Sequence, residues 1–308
     1  MKKIFFLVVI SILLTGCTAY NDISNIAVVN TIGIEKNDKY KIFVKISASN
    51  QENEEKIYTE ECKILKECFN NLNTQLMKRL YLTHLDLLIL SQNLEKSSYD
   101  DIFNFFLSEK TSRNSFTTII TNTIDEKILS YDGKDIINML SLSIKTNGLV
   151  KNISLDQIIK DVLNFETSYI PYLELNDKLE VKGYKEIYQN EKILSKEESI
   201  SINIIRNFID EFNIILNRDL YKLEECNTTN KVNNNNVSIN FSCKVQAQNT
   251  EDLENYLNKE INDFIENNNK NYLSYLVYKF NGKELSNINY KIDIKLKKKE
   301  SSGGEIFE

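Results

Sequence analysis

The chain has 308 residues, of which 42% are hydrophobic and 27% charged, and its formal net charge is −6. This composition is typical of a globular protein of two or three domains. The acidic balance argues against nucleic acid as a partner, which would favour a basic face. We interpret the three lysines at 297–299 as the solvated end of a strand.

The first 17 residues have the three zones of an export signal. Lys2 and Lys3 give a positive start, and residues 4–14 form an almost uninterrupted apolar run. This run is too short to cross a bilayer, because a spanning helix takes about 20 apolar residues. The segment ends in Leu-Thr-Gly-Cys at residues 14–17, which resembles the lipobox of bacterial lipoproteins.

The lipobox resemblance implies that residues 1–16 are a signal peptide and that Cys17 is the site of lipid attachment. In that family the cysteine thiol receives a diacylglyceryl group and becomes the first residue of the mature chain. Each buried CH₂ contributes about 0.8 kcal/mol, so two acyl chains on one residue make a stable anchor. We therefore expect the chain on the extracytoplasmic face of a membrane. An ordinary secretory signal with a chance cysteine is the alternative.

Beyond a polar tether at residues 17–25, residues 26–170 alternate predicted strands with predicted helices. This alternation predicts an N-terminal domain of layered α/β or α+β type. We predict that Ser98 caps one of the helices and that Leu107 is buried in the same helix. The predicted strands cover residues 26–34, 40–47, 85–90 and 116–121, and the predicted helices cover 64–80, 98–107, 125–129 and 134–142.

The second half of the chain contains a possible boundary and a second sheet. Pro171 is the only proline and favours an edge strand or a linker, so we place a boundary after residue 170. Residues 171–208 are predicted to be a small middle domain with a helix from Lys196. The C-terminal domain, residues 209–300, has alternating strands at 237–245 and 288–296 around a helix over 250–265, with a further helical stretch over 272–280; residues 301–308 are a tail.

Four cysteines remain besides Cys17. Cys62 and Cys68 would lie about 240° apart on a helix, so we expect free thiols there. If a two-residue turn is centred on residues 234–235, Cys226 and Cys243 lie opposite each other on adjacent strands. A cross-strand disulfide and a pair of buried reduced thiols both fit this pattern.

The sequence does not contain a recognisable catalytic or cofactor-binding motif. His84 is the only histidine, and the chain contains neither an HExxH motif nor a Cys/His cluster. P-loop, GxGxxG and GxSxG motifs are also absent from the sequence. We therefore expect no catalytic residue, no metal site and no cofactor, and we interpret His84 as a locally hydrogen-bonded residue at the start of a core strand.

Several blocks in the right order resemble the C subunit of spore germinant receptors, the Ger(x)C germination lipoproteins. The family usually has Trp directly after the lipid cysteine, where this chain has Thr18, and this chain is shorter in its middle and late regions. The resembling blocks are residues 26–35 (IAVVNTIGIE), 81–91 (YLTHLDLLILS), 102–107 (IFNFFL) followed by Arg113-Asn114, and 183–203, which includes LSKEE at 194–198.

The resemblance implies a multi-domain α/β (α+β) fold of mixed sheets packed with helices, anchored by lipid at its N-terminus. It implies a non-enzymatic subunit that acts with A-type and B-type membrane subunits in sensing small nutrients. The expected location is the outer face of the inner spore membrane. Whether this subunit itself binds a small molecule stays open.

A solute-binding lipoprotein of a transport system is the alternative function. Such proteins usually have two lobes of similar size around a ligand cleft. The long first domain, short middle domain and smaller last domain predicted here fit a row of domains better. A secreted lipoprotein enzyme is disfavoured by the lack of catalytic motifs.

Overall fold

A computed structural model describes residues 25–47, 55–109, 111–165, 167–189, 191–247, 249–267, 273 and 288–299. Within this part of the chain there are two mixed β-sheets with helices packed against them. The strands are β1 (Ile26–Lys36), β2 (Tyr40–Ile46), β3 (Lys56–Cys62), β4 (Arg79–Tyr81), β5 (Leu87–Ser91), β6 (Thr117–Thr121), β7 (Ser168–Leu175), β8 (Leu179–Ile187), β9 (Phe212–Leu216), β10 (Asp219–Asn233), β11 (Asn236–Val245) and β12 (Asn289–Lys298). The helices are α1 (Leu65–Leu76), α2 (Lys96–Ser108), α3 (Glu126–Ser130), α4 (Gly133–Asn147), α5 (Leu155–Phe165), α6 (Lys196–Ile205) and α7 (Glu251–Asn267).

The first sheet, sheet 1, has the strand order β3-β2-β1-β5-β6-β7-β8, and β4 pairs with the beginning of β1. The strands β1, β5, β6 and β7 run parallel, while β2 and β8 are antiparallel to their neighbours. Every residue of β5 and β6 is buried. Central parallel strands are buried on both faces, which explains why they are almost continuously apolar or β-branched.

Helices cover both faces of sheet 1. On one face α1 and α2 pack together, with the rings of Phe69 and Phe105 stacked at 4.2 Å between centroids. On the other face Ile124 lies directly over Gly33, where an added Cβ would come within 2.8 Å of its side chain. The hydrophobic core therefore extends on both sides of the central strands.

Most predicted elements of the first segment are confirmed, including the β1–β2 hairpin and the central strand β5. The predictions for Ser98 and Leu107 are wrong. The helix α2 begins at Lys96 with Glu95 as its N-cap, so Ser98 lies inside the first turn. Leu107 is 58% exposed, because it lies near the end of α2 on the side away from the buried residues of the helix. The sequence analysis also missed β3 and α5.

The first sheet continues beyond the expected boundary after residue 170. That boundary falls inside β7, which pairs with β6 on one side and β8 on the other. Pro171 is therefore not on an edge strand, and that expectation is wrong. It is tolerated because the β6–β7 pairing begins only at Tyr172, so the missing N–H interrupts no ladder there. The division into independently folding domains stays a prediction.

The second sheet, sheet 2, has the strand order β12-β11-β10-β9. The strictly alternating burial of β11 confirms the predicted half-buried strand, with Val237, Ile239 and Phe241 facing inward. The last strand, β12, runs parallel to β11, and the connection includes α7, whose buried face packs on the sheet. The helical stretch predicted over 272–280 and the tail at 301–308 lie outside the described residues, apart from Leu273.

The helix α6 lies between the two sheets. It starts with a capping box in which Ser195 and Glu198 satisfy each other's backbone N–H groups. All residues from Ser199 to Ile205 are buried. The helix predicted from Lys196 therefore exists, but it ends at Ile205.

We predict that Gly183→Ala destabilises the fold. Gly183 has φ +153°, and a Cβ there would lie 2.6 Å from Ser199 Oγ and 2.9 Å from the Leu194 carbonyl oxygen. Backbone strain and overpacking should together lower the free energy of unfolding by at least about 2 kcal/mol. Urea unfolding followed by circular dichroism measures this.

Gly133→Ala is the matched control. Gly133 is the first residue of α4, and a Cβ there meets nothing closer than 3.4 Å. We expect this change to be neutral or to stabilise by about 0.4–1 kcal/mol. Equal effects of the two substitutions would contradict the importance of the Gly183 backbone.

Candidate functional site

The predicted lipid attachment residue, Cys17, lies outside the described residues and precedes the start of β1 by nine residues. Ile26 pairs with Arg79, the first residue of β4. The strands β1, β4, β5 and β6 all begin toward the same end of sheet 1, because they are parallel to one another. We call this end of the sheet the tether end, since the chain from Cys17 enters the fold there.

The helices α1 and α2 end at the tether end, because each leads into a strand that begins there. The two helix ends are joined by polar contacts: Arg79 Nη2 lies 3.9 Å from Glu109 Oε1, and Thr83 Oγ1 donates to the Thr111 carbonyl at 2.8 Å. Two apolar side chains at these helix ends face solvent. Met77 is 89% exposed and Leu107 is 58% exposed.

The opposite end of sheet 1 carries a polar depression of about 360 Å³ beside the β1–β2 turn. Charged groups of both signs line it, and Lys41 Nζ lies 3.4 Å from Glu35 Oε1. Such a lining offers no apolar wall for an organic ligand. Its lining residues are Glu35, Asn37, Asp38, Lys39, Lys41 and Glu61.

His84 is exposed in the loop before β5, with its ring 6.0 Å from the ring of Tyr81. Among the described residues, no group of three or more His, Cys, Asp or Glu side chains is placed to hold a metal ion. His84 therefore lies outside the core, and the core strand that it precedes begins only at Leu87.

Cys226 and Cys243 lie opposite each other on β10 and β11. The hairpin register predicted from a turn at 234–235 is confirmed, since Asn233 pairs with Asn236. The two cysteine Cα atoms are 4.1 Å apart and the sulfur atoms are in bonding contact. Both residues are buried. The oxidation of this pair in the protein stays a prediction, which is tested below.

Cys62 and Cys68 are also adjacent, which the sequence analysis did not foresee. Their Cα atoms are 5.5 Å apart and their sulfur atoms are in bonding contact. Free thiols were expected on the premise that both cysteines lie on one helix. That placement is wrong, because Cys62 ends β3 and α1 begins only at Leu65.

A buried ion pair joins α5 to the end of α6. Arg206 Nη2 donates to Asp161 Oδ2 at 2.7 Å, and the two side chains are 9% and 3% exposed. The same carboxylate accepts hydrogen bonds from Gln157 Nε2 at 2.8 Å and Ser168 Oγ at 3.3 Å. These extra donors compensate the desolvation of the charge, which a buried ion pair alone often does not.

A second buried cluster lies three residues earlier on α6. Asn203 Nδ2 donates to the carbonyls of Gly148 and Leu149, at 2.8 and 3.0 Å. Its Oδ1 accepts a hydrogen bond from the Tyr184 hydroxyl at 2.7 Å. Burial raises the pKa of Tyr184, so this hydroxyl stays protonated and remains a donor. We call Asp161, Tyr184, Asn203 and Arg206 the junction.

Sheet 2 is attached to α6 by hydrogen bonds from β10. Thr228 Oγ1 donates to the Ile204 carbonyl at 2.6 Å, and Asn230 Nδ2 donates to the Ile205 carbonyl at 2.9 Å. The last carbonyls of a helix have no partner within the helix, so β10 completes the end of α6. The helix α6 thus connects the two sheets: the junction attaches it to sheet 1, and β10 attaches it to sheet 2.

The sequence analysis did not find the junction. One signal was present in the sequence: Asn203 interrupts a run of isoleucines in α6, and a polar residue inside an apolar helix needs buried partners. The partners themselves are 19 to 55 residues away along the chain.

The helices in the described part of the chain include none that is long and apolar enough to cross a membrane. The fold is of the mixed α/β class, with two sheets that each contain parallel and antiparallel strands. A solved structure, "Crystal Structure of the GerBC protein", has the same fold: it superposes with a TM-score of 0.52 at 13% sequence identity, covering 87% of this chain and 97% of that chain. No curated protein matched the sequence.

Residues 19–175 match the family described as the spore germination protein N-terminal domain. The match covers more than half of the chain and ends at the last residue of β7. The chain therefore belongs to the family of germinant receptor C subunits, and the expected mixed α/β fold is confirmed.

We predict that Arg206→Met destabilises the fold by about 3–5 kcal/mol, because it leaves the buried carboxylate of Asp161 without its counter-ion. Adding Asp161→Asn to this variant should recover much of the loss. Urea unfolding provides the measurement.

Lys160→Met is the control for Arg206→Met. Lys160 Nζ lies 3.4 Å from Asp156 Oδ2 in an exposed pair on α5. We expect a loss of about 0.5 kcal/mol or less from this pair. Comparable losses in both variants would contradict a special role for the junction.

We predict that non-reducing peptide mapping of the purified chain recovers a peptide containing Cys226 linked to one containing Cys243. The sequence separation of 17 residues corresponds to a stabilisation of about 3 kcal/mol. Reduction should therefore lower the midpoint of urea unfolding. Detection of a free thiol at either position would contradict the bond.

Proposed function

We propose that this chain is a lipid-anchored, non-enzymatic subunit of a nutrient germinant receptor, required for germinant-triggered spore germination. The observation that carries the proposal is the position of the family match. It begins at residue 19, two residues after the lipobox cysteine Cys17. Anchor and germination domain are thus adjacent in one chain.

The proposed anchor holds the protein at the outer face of the inner spore membrane. There the soluble sheets would contact the A-type and B-type membrane subunits of the receptor. The position of β1 supports this arrangement, since the tether enters the fold at one end of sheet 1. The junction supports it as well, because it makes the two sheets one connected unit that can present a fixed surface to partners.

Complementation of a gene deletion tests this function. The deletion strain should grow and sporulate normally, but its spores should not germinate in response to nutrients. The unchanged gene should restore germination. The Cys17→Ala variant should neither incorporate labelled palmitate nor fractionate with the membrane, and it should restore little or no germination.

Two results would contradict the proposal in different ways. Normal germination of the deletion strain together with lost uptake of one solute would favour the transport alternative. Unchanged membrane fractionation of the Cys17→Ala variant would contradict the anchor. A serine at position 17 is the matched control for side-chain size, since it also lacks the thiol that accepts the lipid.

A further inference from the structure

The tether end carries two apolar side chains that the fold itself does not use. The buried face of α1 consists of Leu65, Cys68, Phe69 and Leu72, and Met77 is not part of it. Leu107 likewise projects away from the buried face of α2. With 89% and 58% of their surfaces exposed, both side chains are available to a partner.

The backbone at Met77 makes a methionine unexpected there. Met77 follows α1 in the left-handed conformation, with φ 52° and ψ 25°. Glycine or asparagine is usual at this position, because a Cβ is disfavoured in that region. Local structure and packing therefore both fail to account for the methionine.

The two side chains belong to one surface. Met77 lies two residues before Arg79, and Leu107 lies two residues before Glu109. Arg79 and Glu109 form the 3.9 Å ion pair that joins the two helix ends. The two helices are also packed side by side, as the stacked rings of Phe69 and Phe105 show.

The charged groups around this surface are mixed, with cations next to Met77. Lys78 and Arg79 follow it directly, and Arg79 has 58% of its side chain exposed. Acids lie at this end as well: Glu109 faces Arg79, Glu55 lies 2.7 Å from Lys45, Asp86 is exposed, and Asp132 caps α4 beside Asp86. Apolar side chains flanked by cations suit the interface of a bilayer that contains anionic lipids.

The length of the tether restricts what this surface can reach. Nine peptide units connect Cys17 to Ile26, and fully extended they span at most about 30 Å. The far end of β1 is a further ~35 Å away, because its 11 residues rise about 3.3 Å each. A lipid on Cys17 would therefore keep the tether end within about 30 Å of the membrane, at a high effective concentration, while the far end of β1 can lie more than twice as far away.

We propose that Met77 and Leu107 form a membrane-docking surface that inserts into the lipid interface beside the anchor. This inference rests on the proposed lipidation of Cys17. Docking at two helix ends adds a second membrane contact to that of the lipid on Cys17. It sets the tether end of sheet 1 on the membrane and turns the polar depression at the β1–β2 turn away from it.

The chain contains no tryptophan, so a single introduced tryptophan can report on its own environment. The lipidated full-length mature chain would carry Met77→Trp or Leu107→Trp, in vesicles of roughly one part phosphatidylglycerol to two parts phosphatidylcholine. We expect blue-shifted emission that is quenched when the lipids are brominated in the upper acyl chain. Leu142→Trp is the control, since Leu142 is 61% exposed on α4, the helix that follows α3 on the other face.

Adding Met77→Gly to the Leu107→Trp protein should reduce the quenching. The fold should be unaffected or more stable, because glycine is favoured in the left-handed conformation. Equal responses of Met77→Trp and Leu142→Trp to brominated lipid would overturn the docking surface. Flotation of the unsubstituted chain with the vesicles is a separate readout: failure to float contradicts the anchor, whereas flotation without quenching at position 77 contradicts only the docking.

Discussion

The hydrogen bonds of α6 are the constraint that unites this structure. The helix is buried from Ser199 to Ile205, yet it contains Asn203 and is followed by Arg206. Each of these polar groups would cost free energy if it were buried without partners. The partners are supplied by α4, α5 and β8 on one side, while the helix itself accepts hydrogen bonds from β10 on the other. The observed arrangement of the two sheets satisfies these groups together, so polar pairing and apolar burial both contribute to the relative position of the sheets.

These hydrogen bonds are relevant to a protein that functions through contacts with partners. A subunit that acts through its surfaces needs those surfaces in fixed relative positions. The junction and α6 provide this between sheet 1, where the tether enters, and sheet 2. The outer face of sheet 2 carries the partly exposed Ser238, Asn240 and Ser242 on β11 and the exposed apolar pair Ile215 and Leu220 on β9 and β10. Under the proposed anchoring, the membrane contacts one end of the molecule, and the remaining surface is left for the protein partners of the receptor.

The sequence predictions succeeded where an element is determined by residues close together in the sequence, and failed where it depends on distant segments. The hairpin of β1 and β2, the strand β5 and the register of β10 with β11 were predicted because hydrophobic period and turn chemistry are local. The strand β3 was missed because its sequence, Lys-Ile-Tyr-Thr-Glu-Glu-Cys, is largely polar and it lies at a sheet edge with one side exposed. Pro171 was misjudged because the extent of a strand pairing depends on the neighbouring strand and not on the proline itself. The error about Cys62 had the same origin, since it required knowing where β3 ends and α1 begins.

The sequence by itself determined the family of the protein, through the ordered blocks of resemblance, and about half of the strands, because these features depend on neighbouring residues. The tertiary structure alone decided that β7 and β8 extend sheet 1, that Asp161 meets Arg206, and that Met77 and Leu107 share the end of the fold where the tether enters. These facts depend on which distant segments approach each other, and the free energy that selects one such approach is summed over the whole core and its buried polar groups.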